Sequence, residues 1–153
     1  LRPYMWKRYD SGYIDDLKGV TDYVISNLPV GSQVVSSVPE VVVGARMRMP
    51  LKLSMGRFSV SQSIAPVWAE RLHVCTPDEL IEFLKDEETM AFIGSTGSFD
   101  NFRLSIPDLY FMSDAFREAF RNVVESHYDL KYQNSHYIVF LRNPNSEDGS
   151  QGP

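Results

Sequence analysis

Cysteine is nearly absent from this 153-residue sequence, in which Cys75 is the only example. A single thiol cannot form an intramolecular disulfide, which excludes a disulfide-stapled scaffold and leaves the redox compartment open. Clustered metal ligands are lacking too: His73 is close to Cys75, but His127 and His136 have no such neighbour. Because a zinc site needs three or four ligands, usually at short spacings, the sequence predicts no metal site.

Long apolar runs and an excess of positive charge are also missing. No run approaches the roughly 18 residues of a membrane span, and no signal-peptide pattern is present. Lysine and arginine number 15 against 20 acidic residues, which gives a net charge of -5. Since contacts with phosphates need clustered basic side chains, we expect no nucleic-acid partner.

The glycine-rich motifs of nucleotide-binding folds and the nucleophile motif of hydrolases do not occur. Gly-x-Gly-x-x-Gly, the Walker pattern and Gly-x-Ser-x-Gly are all absent. The short apolar strand predicted at 33–37 ends in Ser36-Ser37, and Val38-Pro39 follows it in place of a glycine-rich loop. Because Pro39 has no amide hydrogen, this strand end is poorly suited to holding a pyrophosphate, and we expect no cofactor.

What the sequence does contain is a succession of helical and strand patterns. Apolar residues at three-and-four spacing predict a helix over 14–28, and Thr76-Pro77-Asp78-Glu79 has the residues of a capping box. The predicted order is helix 14–28, strand 33–37, short helix 39–44, an irregular or extended segment 46–64 with one buried face, a helix from 77, strand 90–95, a helix from 113 and a hairpin around 133–135. This order predicts an α/β fold: a three-layer sandwich with a mostly parallel, Rossmann-like sheet and a C-terminal antiparallel hairpin.

The length suits one domain, which we place at 14–142 between a lead-in at 1–13 and a disordered tail at 143–153. The lead-in mixes basic residues with Tyr and Trp, and this composition has two interpretations. Its rings can cover an edge of the core, or they can lie at the headgroup level of a membrane. The chain begins with Leu1 rather than Met, which predicts a piece of a longer protein.

A basic cluster in the irregular segment is the first group of candidate ligand contacts. It consists of Arg46, Arg48, Lys52 and Arg57. These side chains can grip a phosphate or an acidic protein surface. They can equally form the solvated face of a strand whose other face is buried, which is the more ordinary interpretation.

Serines at two predicted strand ends are the second group. Ser36 and Ser37 follow one strand, and Ser95 begins a Gly/Ser/Thr-rich loop after another. Open parallel sheets bind ligands at this edge, so a free-standing α/β enzyme or small-ligand binder would have its site here. The loop from 94 to 98 superficially resembles a nucleophile loop, but no helix pattern follows it. A plain connector is the favoured interpretation, and we assign no catalytic residue.

Four segments in this order carry a resemblance to a known family: "DYVISNLPVGSQVV", "GARMRMP", "TPDELIEFLKDEETMAFIGS" and "SHYDLKYQNSHYIVFLR". Over most of residues 14–142 the chain resembles the soluble C-terminal domain of multi-spanning membrane glycosyltransferases that use polyprenyl-phosphate sugars, the protein-mannosyltransferase-like enzymes. The family's catalytic acids belong to loops of the membrane part. The resemblance therefore implies a non-catalytic accessory domain that supports acceptor or partner binding.

The same resemblance implies partners and a location. The partners would be the membrane-embedded remainder of the parent chain and a glycan or protein acceptor, on the extracytoplasmic face of a membrane. The lead-in would then be juxtamembrane, although Arg2, Lys7 and Arg8 are unusual on the outer side and leave the orientation open. Besides the free-standing domain, a third hypothesis is a regulatory module that binds proteins through residues 46–57.

Overall fold

The structure is a computed structural model that describes residues 11–54, 60–61, 65–95 and 113–144. Its helices and strands follow one another as α1 (Ser11–Asn27), β1 (Gln33–Ser36), α2 (Pro39–Gly44), α3 (Pro66–Arg71), α4 (Pro77–Lys85), β2 (Thr89–Ser95), α5 (Asp114–His127), β3 (Tyr128–Gln133) and β4 (Tyr137–Arg142), with a 3-10 turn at Leu51–Leu53. The predicted α/β class is confirmed. Among the described helices, none combines the length and apolar character that crossing a bilayer requires.

The four strands form one mixed sheet in the order β1-β2-β4-β3. β1 and β2 are parallel, whereas β4 is antiparallel to both of its neighbours, β2 and β3. The expectation of a mostly parallel, Rossmann-like sheet was therefore wrong, while the predicted hairpin at one edge is confirmed. The physical reason is that β3 does run in the direction of β2, but the second strand of the hairpin lies between them and pairs with both.

Helices cover both faces of this sheet, because alternate residues of the strands point in opposite directions. On one face, Val34, Ile93 and Val139 pack with α1 and α2. On the other, Phe92 and Phe140 pack with residues of α4 and α5. Fully burying a side chain such as Phe92 is worth roughly 1.5–3 kcal/mol. Two apolar clusters, one per face, thus hold the sheet between its helices.

The starts of the longer helices follow from their local sequence. The Thr76 hydroxyl accepts from the Glu79 amide, and the Glu79 carboxylate accepts from the Thr76 amide, so the predicted capping box is confirmed. Ser113 caps α5 by accepting from the amide of Phe116, and α2 begins at Pro39 as expected. The capping groups satisfy amides that have no partner within the helix.

The segment predicted to be irregular or extended is described only in part, because residues 55–59 and 62–64 lie outside the described residues. Arg48 forms an isolated parallel bridge with Gln33, which extends the sheet by a single residue pair. Met47 and Leu53 are buried, so the described part of the segment does have a buried side. The segment therefore joins the core without forming a regular strand in the described part.

Candidate functional site

One end of the sheet is closed by side chains that bind main-chain carbonyls. The Arg142 guanidinium at the end of β4 donates to the carbonyl of Thr89 at 2.9 Å, and also to those of Lys85 and Asp86 after α4. The Tyr128 hydroxyl donates to the Leu84 carbonyl at 2.6 Å. We call Thr89, Tyr128 and Arg142 the closed end. Its groups cap the C-terminus of α4, where positive charge is favoured.

The opposite end of the sheet is where the parallel strands β1 and β2 both finish. There Ser95, the last residue of β2, lies opposite Tyr137, the first residue of β4. Ser36, the last residue of β1, is opposite Ile93. Ligands of open α/β sheets bind beyond the carboxyl ends of the strands. This end is therefore the first place to look for a site.

Five polar side chains from four parts of the fold meet at this end, and we call them the polar cluster. They are Tyr13 and Asp16 of α1, Glu40 of α2, His136 of the turn before β4, and Tyr137 of β4. Nδ1 of His136 is 2.6 Å from Oδ2 of Asp16. The Tyr13 hydroxyl donates to Oε1 of Glu40 at 3.1 Å. The Tyr13 ring lies edge-on to His136, with centroids 5.4 Å apart, and 5.9 Å from the Tyr137 ring.

Asn134 holds His136 and Tyr137 in place from within the hairpin turn. Its Oδ1 accepts from the amides of His136 and Tyr137, at 3.0 and 2.8 Å. Its Nδ2 donates to the main-chain carbonyl of Asp16 at 2.9 Å. Asn favours such turns because its short side chain binds nearby main-chain groups. One side chain thus fixes the turn and ties it to α1.

The Tyr137 hydroxyl is the unusual group of the cluster. Tyr137 is 2% exposed, and no described residue meets its hydroxyl at hydrogen-bonding geometry. Burial is the main reason that its pKa is raised; hydrogen bonding to the Tyr13 side chain comes second, followed by the charges of Tyr13, Glu40 and Asp16. The Tyr13 hydroxyl donates to Glu40, and its oxygen is close to the Tyr137 hydroxyl, but the two hydroxyls do not meet at the distance and angles of a hydrogen bond. An unpaired buried hydroxyl costs roughly 1–3 kcal/mol, so native proteins rarely leave one without reason.

The charge of the polar cluster limits what it can bind. Asp16 and Glu40 are its carboxylates, and no lysine or arginine of the described residues forms an ion pair with either. Among the described residues, an anionic ligand would therefore meet this negative charge without a compensating cation. The charge of the described residues therefore disfavours a pyrophosphate at this end.

The Asp16–His136 pair has the arrangement of an orienting acid and a base. When the imidazole is neutral, a hydrogen on Nδ1 that is donated to Asp16 leaves Nε2 as an acceptor. That is the orientation in which histidines take a proton from a substrate. The thiol is remote from this chemistry, since Cys75 belongs to the apolar cluster on the other face of the sheet. The cluster can therefore bind and orient a polar ligand and accept its proton.

The serines predicted as ligand contacts lie at this end, but the hydroxyl of one of them serves the fold. The hydroxyl of Ser36 is buried and accepts from the amide of Val38 at 2.9 Å, which closes the turn into α2. The amide of Ser37 donates to the carbonyl of Ile93. Ser95 is half-buried beside Tyr137, while Thr96 and Ser98 lie outside the described residues. The hydroxyls of Ser37 and Ser95 therefore stay candidate contacts at this end of the sheet.

Two members of the predicted basic cluster, Arg48 and Lys52, bind groups of this chain. Nε of Arg48 donates to the Gly31 carbonyl at 2.6 Å, and Arg46 is exposed, with a left-handed φ of 56°. Lys52 donates to Glu70 and Glu79 at 2.6 Å each, and these hydrogen bonds raise its pKa. Arg57 lies outside the described residues. Arg48 and Lys52 thus bind groups of this chain.

The close pair His73 and Cys75 forms no ligand cluster. His73 is exposed with a left-handed φ of 52°, whereas Cys75 is fully buried and burial raises the pKa of its thiol to about 12. Within the described ranges, no group of three or more His, Cys, Asp or Glu side chains could hold a metal ion. The pair therefore behaves as part of the fold.

Sequence patterns did not point to the polar cluster. Asp16 looks like an acid near a helix start, and His136 looks like a turn residue, although the two are 120 positions apart. The one local signal is Asn134 two residues before His136, which is typical of a tight turn. A contact between residues so far apart in the chain produces no periodic pattern in the sequence, so only the folded structure reveals it.

Comparisons of this chain with protein-family models, with curated proteins and with solved structures found no match. The function is therefore argued from the residues of the polar cluster.

Proposed function

We propose that this domain binds a small ligand at the polar cluster, beyond the ends of β1 and β2. The observation that carries the proposal is the Tyr137 hydroxyl, buried at the centre of convergent polar groups without a partner among the described residues. A ligand hydroxyl or amide would supply the missing hydrogen bond. Binding sites combine a few convergent polar groups with aromatic walls, and Tyr13 and Tyr137 offer both.

A purely structural role explains the cluster less well. Such clusters satisfy their buried groups internally, as the closed end does for the hydroxyl of Tyr128. The Asp16–His136 pair also keeps partial exposure, with side chains 23% and 42% accessible. Solvent screens a pair of this kind, so it adds little to stability. Binding is a better reason to assemble these residues at this end of the sheet.

The test is a fragment screen by NMR on the 15N-labelled 153-residue chain. We expect ligands from a library of neutral, cationic and anionic fragments to shift the amide signals of the polar cluster. Asp16→Asn combined with Glu40→Gln should abolish these shifts. The matched control is Asp22→Asn on the same helix, where the carboxylate forms an exposed pair with Lys18, and it should bind normally. Shifts confined to other surfaces would refute the proposal.

For the parent protein we propose, from the resemblance over residues 14–142, that the domain is a non-catalytic accessory part of a membrane glycosyltransferase-like protein on the extracytoplasmic side. The order of the four segments supports this proposal, and the ligand of the polar cluster would then belong to a glycan or protein acceptor. Reading the gene upstream of Leu1 tests it. We expect several membrane-spanning helices encoded there, and their absence would remove the proposal while leaving the ligand site in place.

A further inference from the structure

The C-terminal end of α2 has an arginine at a position where helices usually have glycine. The amide of Arg46 donates to the Val43 carbonyl at 3.1 Å. The amide of Met47 donates to the Val42 carbonyl at 2.9 Å, which completes a Schellman motif. The motif gives Arg46 a left-handed backbone, with a φ of 56°. Because a Cβ disfavours this conformation relative to glycine, the fold by itself gives no reason for arginine here.

The Arg46 side chain is exposed, and no described residue forms a hydrogen bond or ion pair with it. Gly31 links Arg46 to a second arginine. The Gly31 amide donates to the Arg46 carbonyl at 3.0 Å, and the Gly31 carbonyl accepts from Nε of Arg48 at 2.6 Å. Arg48 is also exposed and forms no ion pair with a described carboxylate, whereas Lys52 is paired with two. The two arginines next to Gly31 thus differ from Lys52 in having no carboxylate partner among the described residues.

Three aliphatic side chains near these arginines are exposed as well. Val30 lies in the same turn and is 71% exposed, and Val43, which accepts from the Arg46 amide, is 78% exposed. Ile25, 49% exposed, lies one turn of α1 beyond Thr21, which faces the end of α2. We call Ile25, Val30, Val43, Arg46 and Arg48 the arginine patch. Single exposed aliphatic residues are ordinary, but a group of them beside unpaired arginines is typical of a protein-binding surface.

We propose that the arginine patch binds an acidic segment of a partner protein that also has aliphatic side chains. A guanidinium can bind a carboxylate through two parallel hydrogen bonds, which gives a reason for arginine in place of glycine. The exposed valines and Ile25 can pack against the aliphatic side chains of the segment. A nucleic acid would supply phosphates, but it would leave these aliphatic side chains without matching contacts. The proposal does not depend on the polar cluster.

The experiment selects short random peptides, displayed on phage, against the full chain. We expect the enriched peptides to combine Asp or Glu with Leu, Ile or Val, and to shift the amide signals of the arginine patch in NMR spectra. Their affinity should fall as salt is added, because exposed ion pairs are screened. Enrichment of basic peptides, enrichment of none, or shifts confined to other surfaces would overturn the proposal. A single-stranded oligonucleotide that binds the patch more tightly than the best peptide would overturn the class of partner.

Arg46→Gly separates recognition from stability. It should weaken binding of the enriched peptide about tenfold, because a charged hydrogen bond is lost. It should also raise the thermal midpoint by roughly 2–4 °C, because glycine adopts the left-handed conformation without strain. Unchanged binding by this variant would overturn the role of Arg46, and a lower midpoint would overturn the argument from backbone strain.

His73 provides the matched control, because it occupies the same position after α3. Its amide donates to the Glu70 carbonyl at 3.3 Å, and the Val74 amide donates to the Ala69 carbonyl at 2.9 Å. The φ of His73 is 52°. His73→Gly should therefore raise the thermal midpoint by a similar amount and leave peptide binding unchanged. Equal losses of binding in the two variants would overturn the assignment of binding to Arg46.

Val43→Ser tests the aliphatic part of the patch. It should weaken peptide binding about threefold, because one aliphatic contact is lost, and change the thermal midpoint little, because the side chain is exposed. Binding that this variant leaves unchanged would overturn the claim that the partner segment is aliphatic as well as acidic. The fragment screen at the polar cluster is a separate measurement, so failure of either proposal leaves the other standing.

Discussion

Tyr128 and Tyr137 are two buried tyrosines at opposite ends of the same sheet, and their hydroxyls differ in whether they form a hydrogen bond. Tyr128 donates to the Leu84 carbonyl, and its ring lies under the Arg142 guanidinium, 5.2 Å away. Tyr137 is buried just as deeply, yet no described residue pairs with its hydroxyl. The comparison teaches that burial alone does not distinguish structure from function. What distinguishes them is whether the fold itself supplies the partner.

The two ends also differ in what they bring together. The closed end joins an arginine and a tyrosine to main-chain carbonyls, so every group it uses belongs to the fold. The polar cluster joins carboxylates, an imidazole and two phenols, whose remaining oxygens face no basic side chain of the described residues in an ion pair. We therefore interpret the closed end as structural and the polar cluster as the ligand site.

Replacement of Arg142 by Met should give the largest effect on stability, a loss of about 3 kcal/mol. The guanidinium binds carbonyls at the end of α4 and at Thr89, and charged hydrogen bonds of this kind are worth more than neutral ones. Urea denaturation measures the loss. Arg117→Met, which removes an exposed pair with Asp114, is the control and should cost less than about 0.5 kcal/mol. Equal costs would contradict a structural role for the closed end.

The two tyrosines should respond to the same substitution with opposite signs. Tyr128→Phe should cost about 1–2 kcal/mol, because it removes a buried hydrogen bond to Leu84. Tyr137→Phe should stabilise the protein by about 1 kcal/mol, because the hydroxyl it removes is unpaired. Both values come from urea denaturation under one set of conditions. A destabilised Tyr137→Phe variant would show that the fold uses this hydroxyl, and the comparison would break.

The Asp16–His136 pair should contribute less than about 1 kcal/mol to stability, since both side chains are partly exposed. A double-mutant cycle with Asp16→Asn and His136→Gln isolates the coupling energy between them. A coupling of several kcal/mol would mean that the pair holds the hairpin to α1. The polar cluster would then have a structural role, like the closed end.

The smallest effect concerns ionisation at high pH. Burial raises the pKa of Tyr128 to about 12 from a usual value of 10.0, and burial likewise raises the pKa of Tyr137. Because the folded state favours the neutral phenols, the contribution of Tyr128 is complete below about pH 10 and is lost as the pH rises towards 12. Tyrosinate absorbance should show a late step after the exposed members of the eight tyrosines have titrated. Tyr128→Phe should reduce that step; if the step is unchanged, Tyr128 is not the buried group responsible.

Much of the fold could be predicted where a signal is local. The capping box at Thr76 and Glu79, the break at Pro29 and Gly31, and the alternation of apolar residues in β4 each depend on neighbours within a few positions. The short helix α3 was not predicted, because Val67 and Trp68 are exposed and its six residues form no long apolar stripe. Helices that bury little leave a weak pattern in the sequence.

The candidate site was predictable only in its position. Reasoning from α/β sheets placed a site at the strand ends near Ser36 and Ser95, and the polar cluster lies at that end of the sheet. The residues that form the polar cluster come from α1, α2 and the hairpin, and no sequence motif marks them as members of one site. Of the predicted serines, Ser36 uses its hydroxyl in the turn into α2, while Ser37 and Ser95 stay predictions.

By itself the sequence determined the strands, every helix except α3, and an acidic character without a phosphate cradle, because these depend on nearby residues and on composition. The tertiary structure alone decided that β4 would lie between β2 and β3, and that Asp16 would meet His136 across 120 positions. The reason is physical: strand order and side-chain meetings are set by which apolar faces are buried together. That choice depends on the whole chain at once, so no local stretch records it.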